Sequence, residues 1–201
     1  MPRLGNAVCF IATHDEATYR GFLALRRAVC RFWEKGFRQK ALVAVDAVRD
    51  KVLAAIEELD PLMFYGLGHG RADLWTGQNL QKIFWTCDSR ALRGRVVYAL
   101  SCVTARELGP DAVKKGCRCY IGYDEVFGWI QRPDIPDPLR CKYGRSFFEP
   151  VLTLLYALAD GRTTGDAYRA SIDVWNKWIR YWRGSDDPRA PLVLKWLIWD
   201  R

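Results

Sequence analysis

Five short apolar runs, at 7–12, 41–45, 62–67, 95–101 and 117–123, constrain the fold of this chain more than any other feature of its sequence. The first, 7–12, is near-continuously apolar and reads as a strand buried on both faces, the mark of a parallel sheet, and the other four read as further strands. The segments between them change period. Over 18–35, Phe22, Leu25, Val29 and Phe32 recur at helical spacing, and Gly36 closes the helix. Asp46 is placed to cap a second helix that runs to 59, where Pro61 prevents its continuation. A shorter helix is predicted over 104–115, with a break at Gly109-Pro110, and two longer ones over 145–160 and 164–183. Trp175, Trp178 and Trp182 share one helical face and read as core or partner-facing packing rather than a ligand site. Three stretches are less regular. The insertion 71–94 is polar and aromatic, with a short helix expected near 80–85; 131–140 is a proline-rich loop; 192–199 has the apolar look of an edge strand. Strands alternating with helices predict an α/β fold, a three-layer sandwich in which a mostly parallel central sheet carries helices on both faces.

Composition narrows the function classes. A chain of 201 residues fits one domain, expected over 1–201, and half its residues are hydrophobic, which excludes disorder. The longest apolar run, 151–159, is broken by Thr153 and falls well short of the ~20 residues of a membrane span. Arg3 precedes the first apolar run, but that run ends in Thr13-His14-Asp15 and reads as a core strand rather than a signal peptide, so a cytoplasmic protein without a membrane partner is expected. Seven cysteines without framework spacing read as free thiols. Cys117 and Cys119 lack the further ligands that zinc would need, so no metal and no cofactor is expected. The net charge of +8 is spread over most segments, with no basic stripe and no nucleic-acid-binding signature, and reads as a solvated surface. A phosphate loop is also absent, because Gly66-x-Gly68-x-x-Arg71 lacks its third glycine, and there is no Gly-x-Ser-x-Gly or His-Glu-x-x-His.

In parallel sheets the working groups lie beyond the C-terminal ends of the strands. The third strand here ends in Gly68-His69-Gly70 and the fourth in Ser101-Cys102, which puts a histidine and a cysteine at one sheet edge. A nearby imidazole and the N-terminus of a following helix both favour the thiolate, the reactive form of cysteine. Glycine beside His69 lets the backbone approach a substrate carbonyl, and the N–H groups of Gly70 and Cys102 are placed to hold an oxyanion. His14 ends the first strand at the same edge and reads as a loop histidine near the site.

The order "FYGLGHG", then "VVYALSC", then "GCRCYIGYDEVFGW" resembles the caspase-like cysteine peptidases: caspases, metacaspases, legumain, gingipains, clostripain, separase and the CHAT domains. The likeness is nearest to the bacterial and archaeal CHAT and gingipain-like branch, where a similar "IGY" strand precedes two helices and a "DGRTTGDAYRAS"-type segment. It is strong from Ala41 onward and looser from Ala7. The resemblance implies a Cys102 nucleophile, His69 as general base and acid, Gly70 as oxyanion donor, and a protein substrate. It departs at Leu100, where metacaspases and clostripain carry an acid two residues before the cysteine. The same resemblance places the S1 pocket near Asp15, Glu16, Asp124 and Glu125, acids that would select a basic P1 residue. A regulatory protein partner, or cleavage within 71–94 or 131–145, would gate such an enzyme. A catalytically silent caspase-like adaptor and a basic nucleic-acid- or nucleotide-binding α/β domain remain the alternatives.

Overall fold

The computed structural model describes residues 5–201; residues 1–4, Arg3 among them, lie outside the described residues. The chain folds as two compact units, one of 1–22 and 32–127, the other of 23–31 and 128–201.

The first unit is built on a five-stranded parallel sheet of β1 (Asn6–Ile11), β2 (Arg38–Val43), β3 (Met63–Leu67), β7 (Val96–Leu100) and β8 (Cys119–Ile121), in the order β2-β1-β3-β7-β8. The alternation of side chains divides its core. Val8, Phe10, Phe64, Val97 and Ala99 point to one face and join a cluster with Val52, Ala55, Ile56 and Leu59 of α2 (Arg49–Leu59) and with Leu108 and Ala112 of α3 (Leu108–Lys114). On the other face lie the ends of α1 (Glu16–Glu34): Phe32 stacks on Tyr65 at 5.0 Å, and Gly21 abuts Leu67. Helices on both faces make this the three-layer α/β sandwich that the strand–helix alternation predicts. Among the described residues the chain has six α-helices, none long and apolar enough to cross a membrane.

The insertion departs from expectation. Where a short helix was expected near 80–85, the chain forms an antiparallel sheet of β4 (Gly70–Arg71), β5 (Leu74–Thr76) and β6 (Lys82–Trp85). Aromatic burial decides it: Trp75 and Phe84 lie 4.7 Å from Phe10 and 5.4 Å from Phe64 respectively, two tilted or edge-on ring contacts on one face that adjacent strands provide and one turn of helix does not. Nor does Asp46 cap α2. It lies in a 3-10 turn, pairs with Lys51, and leaves Val48 at the N-cap without a side-chain bond.

The second unit holds α4 (Lys142–Ala159), α5 (Thr164–Arg183) and α6 (Ala190–Asp200) together with the middle of α1. The expected edge strand at 192–199 is α6, whose buried residues Ala190, Val193, Leu197 and Asp200 follow the helical period, with Pro191 in its first turn. Trp175 and Trp182 are buried in this unit, and the Trp182 Nε1–H donates to Ser146 Oγ at 2.8 Å. The proline-rich loop is tied down. Arg27 donates to both oxygens of Asp137, at 3.2 and 2.8 Å, and Asp137 Oδ1 also accepts from the Leu139 N–H.

Candidate active site at the ends of β1, β3 and β7

The parallel register sets Leu67 opposite Leu100, so two residues further on His69 and Cys102 leave adjacent strands at the same level. β1 is the other neighbour of β3, with Ile11 opposite Leu67, and its exit carries Thr13-His14-Asp15 to the same edge.

His69 is held by its backbone. Its carbonyl accepts from both the N–H and the hydroxyl of Thr76, at 2.9 and 3.0 Å. Because the His69–Thr76 rung carries that bond, Gly70 sits on the next, non-bonded rung of the β4–β5 ladder and turns its N–H away from β5. Both flanking glycines are required by close approach. A Cβ on Gly68 would lie 1.8 Å from the Thr76 carbonyl oxygen; one on Gly70 would lie 2.3 Å from Ser101 Oγ and 2.4 Å from the Cys102 carbonyl. The loop bearing His69 is thus pressed directly against the backbone that bears Cys102.

Asp15 gives one carboxylate two tasks. Oδ1 accepts from the Thr18 N–H at 2.8 Å while Thr18 Oγ1 accepts from the Asp15 N–H at 3.3 Å, a reciprocal cap on α1. Oδ2 lies 2.5 Å from His69 Nε2. Burial alone would raise the Asp15 carboxyl, but the Thr18 N–H, the bond and charge of His69 and the Thr18 hydroxyl outweigh it and bring it down to about 2. An ionised carboxylate only accepts, so it fixes the imidazole proton on Nε2 and presents Nδ1 as a base. His14 is mostly buried beside this pair, its ring 5.7 Å from that of His69 and its Nε2 3.4 Å from Asp15 Oδ2. Among the described residues, His14, Asp15 and His69 are also the one group of three whose donor atoms converge closely enough to hold a metal ion.

Cys102 is half-buried, with Sγ 3.9 Å from the Phe127 carbonyl. The next residue, Val103, has φ +64°, a left-handed conformation costly for a β-branched side chain and held by its N–H bond to the Glu125 carbonyl at 3.0 Å. The helix expected to start at 104 begins only at Leu108, after a run of turns. Its N-terminus therefore does not follow directly on Cys102, and the helix contribution to thiolate formation expected from the sequence is withdrawn; strain at Val103 and the turns that follow explain the delay.

The four acids assigned to an S1 pocket are spread across the sheet. Asp15 and Glu16 follow β1, whereas Asp124 and Glu125 follow β8, with β3 and β7 between them, about 14 Å at ordinary strand spacing. Asp15 serves His69 and the α1 cap, Glu16 pairs with Arg20, and Glu125 pairs with Arg106. Asp124 is exposed, its backbone carbonyl taken by Arg106. Sequence reasoning missed Asp15 as the partner of His69, although the Asp-x-x-Thr cap signature that immobilises it was there to read. Cys117 packs as an ordinary thiol, bonded to the carbonyls of Arg95 and Cys119, and burial pushes it up to about 11.

No protein-family model and no curated protein matches the sequence. Among solved structures the chain is similar to one described as the complex of Porphyromonas gingivalis RgpB pro- and mature domains, with 10% identity and a TM-score of 0.53 over 90% of this chain. The match covers 44% of that chain, so this protein spans less than half its length. At such low identity the likeness is one of fold, and it agrees with the three-layer α/β sandwich that the strand–helix alternation predicts.

Proposed function

We propose that this protein is a cysteine endopeptidase acting on a protein substrate through Cys102 and His69. The observation that carries the proposal is the level exit of these two residues from adjacent strands, with an ionised Asp15 on the far nitrogen of the imidazole. In this reading Nδ1 of His69 takes the Cys102 proton and the thiolate attacks the scissile carbonyl. The Gly70 N–H, with that of Cys102, receives the oxyanion. The imidazolium then protonates the leaving amine, and water hydrolyses the acyl-enzyme in a second step. A silent adaptor would have no need of an oriented histidine at this position, and a nucleic-acid partner would be expected to show steeply salt-dependent binding to oligonucleotides.

The preference for a basic P1 residue rests on Asp124 alone, since the other three acids are engaged with neighbours. A fluorogenic peptide panel ending in Arg, Lys, Asp and Leu, read on the wild type and on Cys102→Ala, tests activity and preference together. Turnover after Arg and Lys, lowered by Asp124→Asn, is the expected result; faster cleavage after Asp would reverse the preference. Gating by a protein partner belongs to the same proposal.

Asp15→Asn separates orientation from structure. The amide oxygen can still accept from Thr18, so α1 keeps its cap, but its NH2 group then donates to His69 Nε2 and imposes the opposite tautomer, with the proton on Nδ1. The expected outcome is a loss of about 10- to 100-fold, carried by kcat with KM little changed. Stability follows the usual rule for a depressed carboxyl: the contribution of Asp15 is present above the ordinary carboxylate pKa near 4 and is lost as pH falls toward 2. Acid unfolding of wild type and Asp15→Asn should therefore converge over that window.

A further inference from the structure

We propose that His14, Asp15 and His69 form a binding site for a divalent ion of the zinc class, and that the bound ion switches off the chemistry of this edge; the switch, though not the site, rests on the reading of His69 as the base. One ring nitrogen of each histidine and one carboxylate oxygen of Asp15 lie within 4.8 Å of one another. Neighbouring ligands of a tetrahedral zinc ion are separated by about 3.4 Å, from metal–ligand bonds near 2 Å. The His14 Nε2 to Asp15 Oδ2 separation, 3.4 Å, already has this value, and the shorter one from Oδ2 to His69 needs only a side-chain rotation.

A second observation points the same way. Both ring nitrogens of His14 are buried without a hydrogen-bond partner, a condition that buried imidazoles rarely tolerate. The contact with Asp15 lacks hydrogen-bond geometry, so His14 Nε2 faces a carboxylate oxygen without being committed to it. Two imidazoles and one carboxylate suit zinc and its transition-metal neighbours, and suit calcium or magnesium poorly. Three protein ligands leave a fourth position for water.

Binding would alter His69 in a defined way. A metal on Nε2 displaces the proton from that nitrogen to solvent, and a proton from solvent occupies Nδ1, so the imidazole stays neutral. The nitrogen that was free to accept the Cys102 proton then carries one of its own. The ion need not touch the thiol to stop the reaction.

The test uses zinc chloride as the only added ligand. In a Cys102→Ala background, which removes the thiolate as a competing ligand, calorimetry should show a saturable one-to-one event weakened at least about tenfold by His14→Gln. Equal binding in the two proteins overturns the site. Matching thermal melts for the His14→Gln protein guard against a folding artefact, and His14→Asn should behave alike. With Cys102 intact, zinc should inhibit peptide turnover and a chelator should restore it. The half-inhibiting concentration should rise at least about tenfold in His14→Gln, each protein measured against its own metal-free rate. Turnover insensitive to zinc overturns the switch. His14-dependent binding by a protein that cleaves no peptide would keep the site while ending both the switch and the peptidase reading. Active enzyme whose zinc binding ignores His14 would end the site and leave the peptidase reading standing.

Discussion

Cys102→Ala is expected to lower kcat/KM by at least about 10^3-fold, and His69→Ala by about 10^2- to 10^4-fold. The two losses should not add, because in the proposed dyad nucleophile and base act as one unit. Alkylation gives an independent readout. Cys9 and Cys117 are buried, with burial pushing their thiols up to about 12 and about 11, and Cys141 is buried too, so the exposed Cys30 and Cys87 and the half-buried Cys119 are the real competitors of Cys102. Near pH 6.5 an ordinary exposed thiol is almost wholly protonated, with a pKa of about 8.5. Iodoacetamide at that pH should label Cys102 first in the wild type and lose this selectivity in His69→Ala. Labelling led by Cys30, Cys87 or Cys119 in the wild type would remove the dyad.

Gly68→Ala should be the most damaging single methyl in the first unit. The added Cβ would stand 1.8 Å from the Thr76 carbonyl oxygen, and backbone cannot swing aside as a side-chain tip can. Relief requires β5 to move off β3, which would expose the aromatic layer of Phe10, Trp75 and Phe84. A destabilisation of about 3 kcal/mol or more follows, near 6–12 °C in Tm for a chain of this size. Gly70→Ala should act differently. Its methyl would press on Ser101 Oγ and on the Cys102 carbonyl, so catalysis should fall further than stability. Thermal melts of both variants, with kcat/KM on the same preparations, check the pair. A melt for Gly68→Ala within a degree of wild type would contradict the packing described.

Parallel strands carry their own signature, since a strand covered on both faces must be apolar throughout. Hence β1, β3 and β7 were legible to within a residue or two, as were α1 and α5, while α4 begins three residues before the expected start. The placement of His69 and Cys102 was legible for a related reason: each follows directly on an apolar strand, so local sequence puts both beyond the C-terminal ends of the sheet. What local sequence does not carry is which non-adjacent groups meet. The partner of Asp15 depended on β1 lying beside β3, 54 residues apart in the chain, and from the sequence alone its carboxylate was as easily assigned to a pocket. The short apolar segments 80–85 and 192–199 were ambiguous because a few apolar residues satisfy either period. Tertiary contact resolved each: Ile83 and Phe84 became a strand over Phe10 and Phe64, and Val193 and Leu197 turned one face of a helix inward. The start of α3 was decided by the backbone at Val103, whose left-handed turn is held by its N–H bond to the Glu125 carbonyl and has no counterpart in helix propensity. Chain-local physics thus determined the strands and the two residues at their ends; burial and register, which exist only once the sheet has assembled, decided what those residues touch.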